Sequence, residues 1–124
     1  MTEQKNIIQH MENPIKKTTT IKIDVGLNEN NVPQQLNWSA EDGKVNNEEA
    51  RAMLLSLWDP RSKNTMKIDL WTTEMSVDEM KIFFHQTLLT MADTFEKATG
   101  EINIVEDLRD YCLHFADKMN IMPE

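Results

Sequence analysis

Cys112 and His114 are the two residues of this sequence whose chemistry comes closest to a catalytic pair. A thiol nucleophile needs a base within hydrogen-bond reach. Residues two apart on a helix point to nearly opposite sides, so these two side chains cannot meet if the segment is helical. Cys112 also falls on an apolar stripe, which favours a buried and inert thiol over a nucleophile. We therefore expect no reaction at this pair.

The other residues with catalytic or ligating potential stand alone. His85 lies at the edge of an apolar helical arc, and no second histidine or carboxylate falls one turn away, so a boundary histidine is favoured over a metal ligand. His10 lies in a polar N-terminal stretch, and the three glycines form no phosphate-binding loop. The sequence predicts a protein that is not an enzyme and holds no cofactor or metal. The sequence does not exclude a pair of carboxylates that only the fold brings together.

The net charge of the chain limits the kinds of partner that it can bind. A formal net charge of −8 over 124 residues argues against nucleic acid, whose phosphates are bound by Lys and Arg. It also disfavours anionic lipid surfaces. With one cysteine there is no disulfide framework. The N-terminus lacks the apolar core of a signal peptide, and no run is long enough to span a bilayer. We expect a cytoplasmic protein without direct membrane insertion.

The stretch from Trp71 to Ala98 carries the strongest local signals in the chain. Ser76 and Glu79 have the spacing of a capping box, in which the serine hydroxyl and the glutamate satisfy free amides of the first turn. Gly100 follows as a residue suited to a left-handed helix stop. These signals predict a helix from about Val77 to Thr99.

The apolar arc of this helix is wider than one packing partner needs. Ile82, Leu89 and Ala92 widen the main stripe, whereas Phe83 falls among polar residues. A second partner must cover the excess, either the next helix or another copy of the chain, and we expect a homo-oligomer. The main stripe, which we expect to be core, consists of Val77, Met80, Phe84, Leu88, Met91, Phe95 and Ala98.

Residues before this helix alternate with period two and predict strands. One hairpin joins Thr18–Leu27 to a return strand around Leu36–Ala40, and a second joins about Ala50–Trp58 to Met66–Trp71. A second helix follows, with Asn103 and Glu106 as its predicted cap. The expected fold is α+β: a four-stranded antiparallel sheet of two successive hairpins, with two C-terminal helices packed on one face. Residues 1–17 are expected to form a flexible arm, and residues 18–124 a single domain.

Apolar side chains outside the expected core are the candidates for a binding surface. Trp71 shares the nominal solvent face of its strand with Lys67 and Asp69. Large aromatic side chains that are not needed for the core are typical anchors in protein interfaces. The candidate interaction surface comprises Trp58, Trp71, Ile82, Phe83, Leu89 and Leu113.

Several runs of the chain resemble the gliding-motility protein GldC family of the Bacteroidota. They are NWSAEDG from Asn37, EEARAMLLSLWD from Glu48, IDLWT from Ile68, and VDEMKIFFHQTL with DTFEKAT between Val77 and Thr99. The resemblance covers roughly Lys16 to Met119. It implies a small cytoplasmic accessory or adaptor protein of the gliding machinery, without cofactor or catalytic residues, that contacts gliding-motility or envelope-assembly proteins. In architecture alone, the expected fold is also similar to SecB-type export chaperones, which implies holding of exported clients as the alternative function.

Overall fold

The computed structural model describes residues 14–121, which form five strands and two helices. Residues 1–13 and 122–124 lie outside this range, so the predicted arm over residues 1–17 falls mostly beyond it, and its separation from a domain over residues 18–124 stays a prediction. The elements in chain order are β1 (Ile21–Leu27), β2 (Pro33–Ala40), β3 (Val45–Ala50), β4 (Ala52–Asp59), β5 (Asn64–Trp71), α1 (Val77–Thr99) and α2 (Ile102–Met119).

The strands form two antiparallel sheets, of order β1-β2-β3 and β4-β5. The expected hairpins β1–β2 and β4–β5 are present, but the prediction of one four-stranded sheet is wrong. It missed β3, whose sequence VNNEEA has neither β-branched enrichment nor apolar alternation beyond its ends. Only Arg51 separates β3 from β4. The third extended segment therefore bends at Arg51 and pairs first with β2 and then with β5.

Helix α1 begins and ends where the sequence predicts. The Ser76 hydroxyl accepts from the Glu79 amide at 3.0 Å, and the Glu79 carboxylate accepts from the Ser76 amide at 3.2 Å. The hydrogen bond from the Ser76 amide, followed by that from the Ser76 hydroxyl, lowers the pKa of Glu79 below its ordinary value. Gly100 ends the helix at φ 70°, a left-handed conformation that glycine adopts without steric cost. The capping box is confirmed.

Helix α2 starts before its predicted cap. It begins at Ile102, directly after Glu101, and no described side chain caps its first turn. Since the amide of Ile102 bonds to the carbonyl of Gly100 at 2.9 Å, the turn that ends α1 leads straight into α2. This two-residue connection leaves Asn103 and Glu106 inside the helix, and the predicted cap is wrong.

The prediction that both helices pack on one face of the sheet is also wrong. Among the described elements, the extensive contacts are those within each sheet and between α1 and α2. In the described range, the fully buried apolar residues are one strand residue, Leu36, and four helix residues, Ala92, Val105, Cys112 and Ala116. The helix pair therefore has a small core of its own, and it does not cover the strands.

We expect Ser76→Ala to lower the free energy of unfolding by about 1 kcal/mol, the usual cost of losing a helix N-cap. Denaturant unfolding at fixed protein concentration measures the change. Ser56→Ala, at an exposed position of β4, is the control and should have little effect. Equal losses in the two variants would contradict the role of the capping box.

The capping box should also make stability depend on pH. The pKa of Glu79 is lower in the folded protein than its ordinary value of 4.5. Its contribution is therefore fully present above about pH 4.5 and is lost as pH falls through the folded pKa. We expect the difference in unfolding free energy between wild type and Glu79→Gln to shrink from pH 7 to pH 3. A difference that stays constant over this range would contradict the assignment.

Candidate functional site

The residues with catalytic potential do not converge. Cys112 is fully buried between the helices, and burial raises the pKa of its thiol. His114 lies on another side of α2, where its ring is 5.8 Å from that of Tyr111. His85 stacks on Phe115 at 6.1 Å with an interplanar angle of 13°. The prediction of a buried thiol is confirmed, and His85 lies at the boundary of the helix–helix contact.

The described residues also include no cluster suited to a metal. Among residues 14–121, no three side chains of His, Cys, Asp or Glu gather closely enough to hold an ion. Neither of the described helices is long and apolar enough to cross a membrane. The surface chemistry that remains is apolar, and it lies on the helix pair and on the β4–β5 hairpin.

Three residues of the predicted surface meet on one side of the helix pair. Ile82 and Leu89 are two helical turns apart on α1, and both are exposed. Arg109 of α2 bonds to the carboxylates of Asp93 at 2.9 Å and Glu96 at 3.2 Å, which raises the pKa of its guanidinium.

These two ion pairs show how the antiparallel helices are aligned with one another. Leu113 lies one turn beyond Arg109, and Leu89 lies one turn before Asp93, so helical spacing places the two leucines side by side. Leu113 is 60% exposed, Ile82 44% and Leu89 38%. We call Ile82, Leu89 and Leu113 the aliphatic flank.

The other residues of the predicted surface are scattered. Trp58 and Trp71 lie on the same face of the β4–β5 hairpin, but Trp58 pairs with Thr65 near the turn and Trp71 with Ala52 at the base. The tryptophans are therefore about 20 Å apart at 3.3 Å per residue. Both are more than half exposed.

Phe83 does not lie with the aliphatic flank, and its place in an interaction surface stays a prediction. Phe83 is half-buried, and its ring meets that of Phe84 edge-on at 6.2 Å. Phe84, which the sequence assigns to the core stripe, is the more exposed of the two at 41%. Phe84 is exposed because α2 packs on the side of α1 that carries Ala92 rather than on its main stripe. Phe83 lies on the side of α1 opposite Ala92, so α2 does not account for its partial burial.

Most of the expected core stripe of α1 is consequently exposed. Ile104 and Leu108 of α2 line a groove of about 410 Å³ together with Phe95, so both helices contribute to one continuous surface. The width of the apolar arc was the sequence signal for this exposed surface. Periodicity alone does not tell which part of the arc a neighbouring helix covers. We call the exposed residues of this side the aromatic flank: Val77, Phe84, Met91, Phe95, Ile104 and Tyr111.

A groove lies where the hairpin meets the helices. It has a volume of about 460 Å³, and Trp71 lines it together with Val77, Met80, Phe84 and Phe115. Trp71 thus lies near the start of α1, although it is more than half exposed. We call this the junction groove.

The opposite face of the hairpin carries three consecutive apolar cross-strand pairs. The register shows no ionisable residue at these six described positions. The half towards the turn is exposed, with Leu57, Met66 and Ile68 each above 50%. We call these six residues the hairpin face: Met53, Leu55, Leu57, Met66, Ile68 and Leu70.

Comparison with known proteins agrees with the resemblance seen in the sequence. The family described as gliding motility-associated protein GldC-like matches residues 33–121. The chain belongs to the GldC-like family. This match spans β2 to α2 and therefore includes the hairpin face and both helix flanks. No curated protein and no solved structure matches the chain, so the architectural similarity to SecB-type chaperones stays a prediction.

We expect Cys112 to react with a thiol reagent at least about 100-fold more slowly than an exposed cysteine, because the buried thiol reacts only when the helix pair opens. Thr94→Cys, which adds an exposed thiol on α1, is the control. Timed labelling at pH 8, followed by peptide mass spectrometry, measures both sites in one molecule. Equal labelling rates would contradict the burial of Cys112.

Proposed function

We propose that this GldC-like protein is a cytoplasmic, non-enzymatic adaptor of the bacterial gliding machinery that acts through protein–protein contacts. Family membership provides the association with gliding. The adaptor role is supported by the large apolar surface that the described chain leaves exposed. Contiguous exposed apolar residues on a small protein mark interaction sites more often than isolated ones do.

One observation supports the aliphatic flank as the docking surface for another gliding-motility or envelope-assembly protein. The three exposed residues of the aliphatic flank have the ion pairs of Arg109 with Asp93 and Glu96 at one end. Apolar residues at the centre with charged groups at the edge are the usual composition of a protein interface. The flank also lies on regular helices rather than on a loop, so little backbone entropy is lost when a partner binds.

The chemistry of this flank suggests the kind of partner surface that it accepts. Branched aliphatic side chains spaced along a helix pair fit an apolar helix that presents residues at i, i+3 and i+4 spacing. A basic residue on the partner beside Asp93 or Glu96 would match the negative charge of this chain. We therefore propose an amphipathic helical segment of a motility protein as the ligand.

Affinity capture from gliding cells tests the proposal. We expect wild-type protein to recover a motility or envelope-assembly component, and the double variant Leu89→Asp, Leu113→Asp to recover at least about tenfold less. Placing two carboxylates in an apolar contact costs well over the 1.4 kcal/mol that corresponds to tenfold in affinity. Colony spreading of the variant strain should fall in parallel.

Val32→Asp is the matched control, because it also replaces an exposed apolar residue by aspartate but lies in the β1–β2 turn. Circular dichroism and thermal unfolding should show that both variants fold. Equal recovery and equal spreading for the flank variant and the control would reject the aliphatic flank as the docking site.

A holdase that keeps exported clients unfolded is the second candidate function. The observation in its favour is a groove of about 290 Å³ between the first sheet and β4, whose lining residues are all apolar. Such a groove fits apolar side chains of an extended chain. Its walls include Ile23 and Trp38 from the sheet and Met53 and Leu54 from β4.

An aggregation assay separates the two functions. A holdase at equimolar concentration should slow the aggregation of a chemically denatured client, and Trp38→Asp should abolish this effect, because a charge in the groove disfavours apolar ligands. Val32→Asp serves again as control. An unchanged aggregation rate with wild-type protein would eliminate the holdase and leave the adaptor.

A further inference from the structure

The protein presents two apolar layers that do not cover one another. The aromatic flank is one layer and the hairpin face is the other. Residues of both are exposed, from Phe84 at 41% to Val77 at 73%. A two-layer α+β domain normally buries such a helix layer against such a sheet layer. The sequence predicts this arrangement, and a single chain does not form it.

The connection between β5 and α1 explains why the layers stay apart. Trp71 lies on the hairpin surface opposite the hairpin face, because it pairs with Ala52 rather than with a residue of that face. It also lines the junction groove with residues of α1. The helix therefore leaves from the Trp71 side of the hairpin, away from the hairpin face.

Short-range bonds hold this connection in place. Thr72 is buried, and its amide donates to the Arg51 carbonyl at 2.8 Å. The amide of Met75 donates to the Thr72 carbonyl at 3.1 Å. The Arg51 guanidinium is 3.5 Å from the Glu79 carboxylate, which the capping box also engages. For the helices to fold back onto the hairpin face of their own chain, these bonds would have to break.

The two layers match in length and in chemistry. The aromatic flank runs from Val77 to Phe95, about 27 Å at 1.5 Å per residue. The strands of the hairpin are eight residues long, about 26 Å at 3.3 Å per residue. The aromatic flank has one acidic neighbour, Asp107, in the groove that Phe95 and Ile104 line. The hairpin face carries no ionisable residue at its six positions, so Asp107 meets no acidic group there although each chain has a net charge of −8.

The exposed area is sufficient for a stable dimer. Nine large apolar side chains of the two layers are each about half exposed. At about 200 Å² per side chain, they leave roughly 900 Å² accessible on each chain. A stable interface needs roughly 800 Å² per partner. Six of the nine side chains belong to the aromatic flank and three to the hairpin face. Either layer alone therefore provides less than the required area, so the area favours an arrangement that covers both.

We infer that a second copy of this chain is the occupant of both layers. In a two-fold symmetric dimer, the aromatic flank of each protomer packs on the hairpin face of the other, so that one association forms two equivalent helix-on-sheet contacts. The two-layer architecture is completed between chains rather than within one. The aliphatic flank lies on the opposite side of the helix pair and stays free for the proposed gliding partner.

Two variants and their mixture test the inference. The helix-layer variant carries Met91→Asp and Phe95→Asp, and the sheet-layer variant carries Leu57→Asp and Ile68→Asp. Light scattering of purified wild type at about 50 µM should give the mass of a dimer. For each variant alone, we expect the dissociation constant to rise at least about 100-fold, since charges then face an apolar layer in both contacts.

A mixture of the two variants tests whether the aromatic flank of one chain packs on the hairpin face of the other. When the two variants are co-expressed with different tags, one of the two contacts joins an intact aromatic flank to an intact hairpin face. We therefore expect a 1:1 heterodimer on two-step affinity purification, even if either variant alone fails to fold. If each layer instead packed on the same layer of the other chain, every contact in the mixture would include one substituted surface. Mixing the variants would then not restore the dimer.

Controls on the remaining surfaces complete the design. Leu89→Asp, Leu113→Asp on the aliphatic flank and Trp58→Asp on the other surface of the hairpin should both stay dimeric. A monomeric wild type, variants that remain dimeric, or failure of the mixture to form a heterodimer would each overturn the inference. Capture of a gliding partner depends on the aliphatic flank, so its outcome is independent of this experiment.

Discussion

The bonds that tie Arg51 to Thr72 and Glu79 determine how the rest of the molecule is arranged. They hold the bend between β3 and β4 against the start of α1, through one backbone hydrogen bond of 2.8 Å and one ion pair of 3.5 Å. An exposed ion pair contributes little stability by itself. With the buried Thr72 and the capping box it defines the direction in which the helices leave the hairpin. The separation of the two apolar layers follows from that direction.

This separation gives the molecule surfaces of different composition. The aromatic flank and the hairpin face are broad and apolar, which is typical of permanent contacts between subunits. The aliphatic flank is smaller and is bordered by Arg109, Asp93 and Glu96, which is typical of contacts that form and dissociate. The proposed adaptor role would use both kinds of surface: one to build a stable scaffold and one to bind a partner reversibly.

Sequence signals were sufficient to predict the elements whose formation depends on neighbouring residues in the chain. The limits of α1 follow from Ser76 and Gly100, and the strands of each hairpin follow from strict alternation. Strand β3 was missed because its pairing with β2, not its own composition, makes it a strand. The position of the helices relative to the strands could not be predicted either, since periodicity shows how wide an apolar arc is but not what covers it. For this reason the apolar stripe assigns Phe84 to the core, although the structure leaves it exposed.

Cross-linking with mixed isotopes tests most directly whether the two layers meet between chains. A photoreactive amino acid replaces Ile68 on the hairpin face, and unlabelled and ¹⁵N-labelled protein are refolded together at equal concentration. The reciprocal dimer predicts cross-links from β5 to peptides of α1 or α2, about half of which join a labelled to an unlabelled peptide, as random pairing of chains requires. Cross-links to the helices that join only peptides of the same label would show that the layers meet within one chain, and would contradict the account.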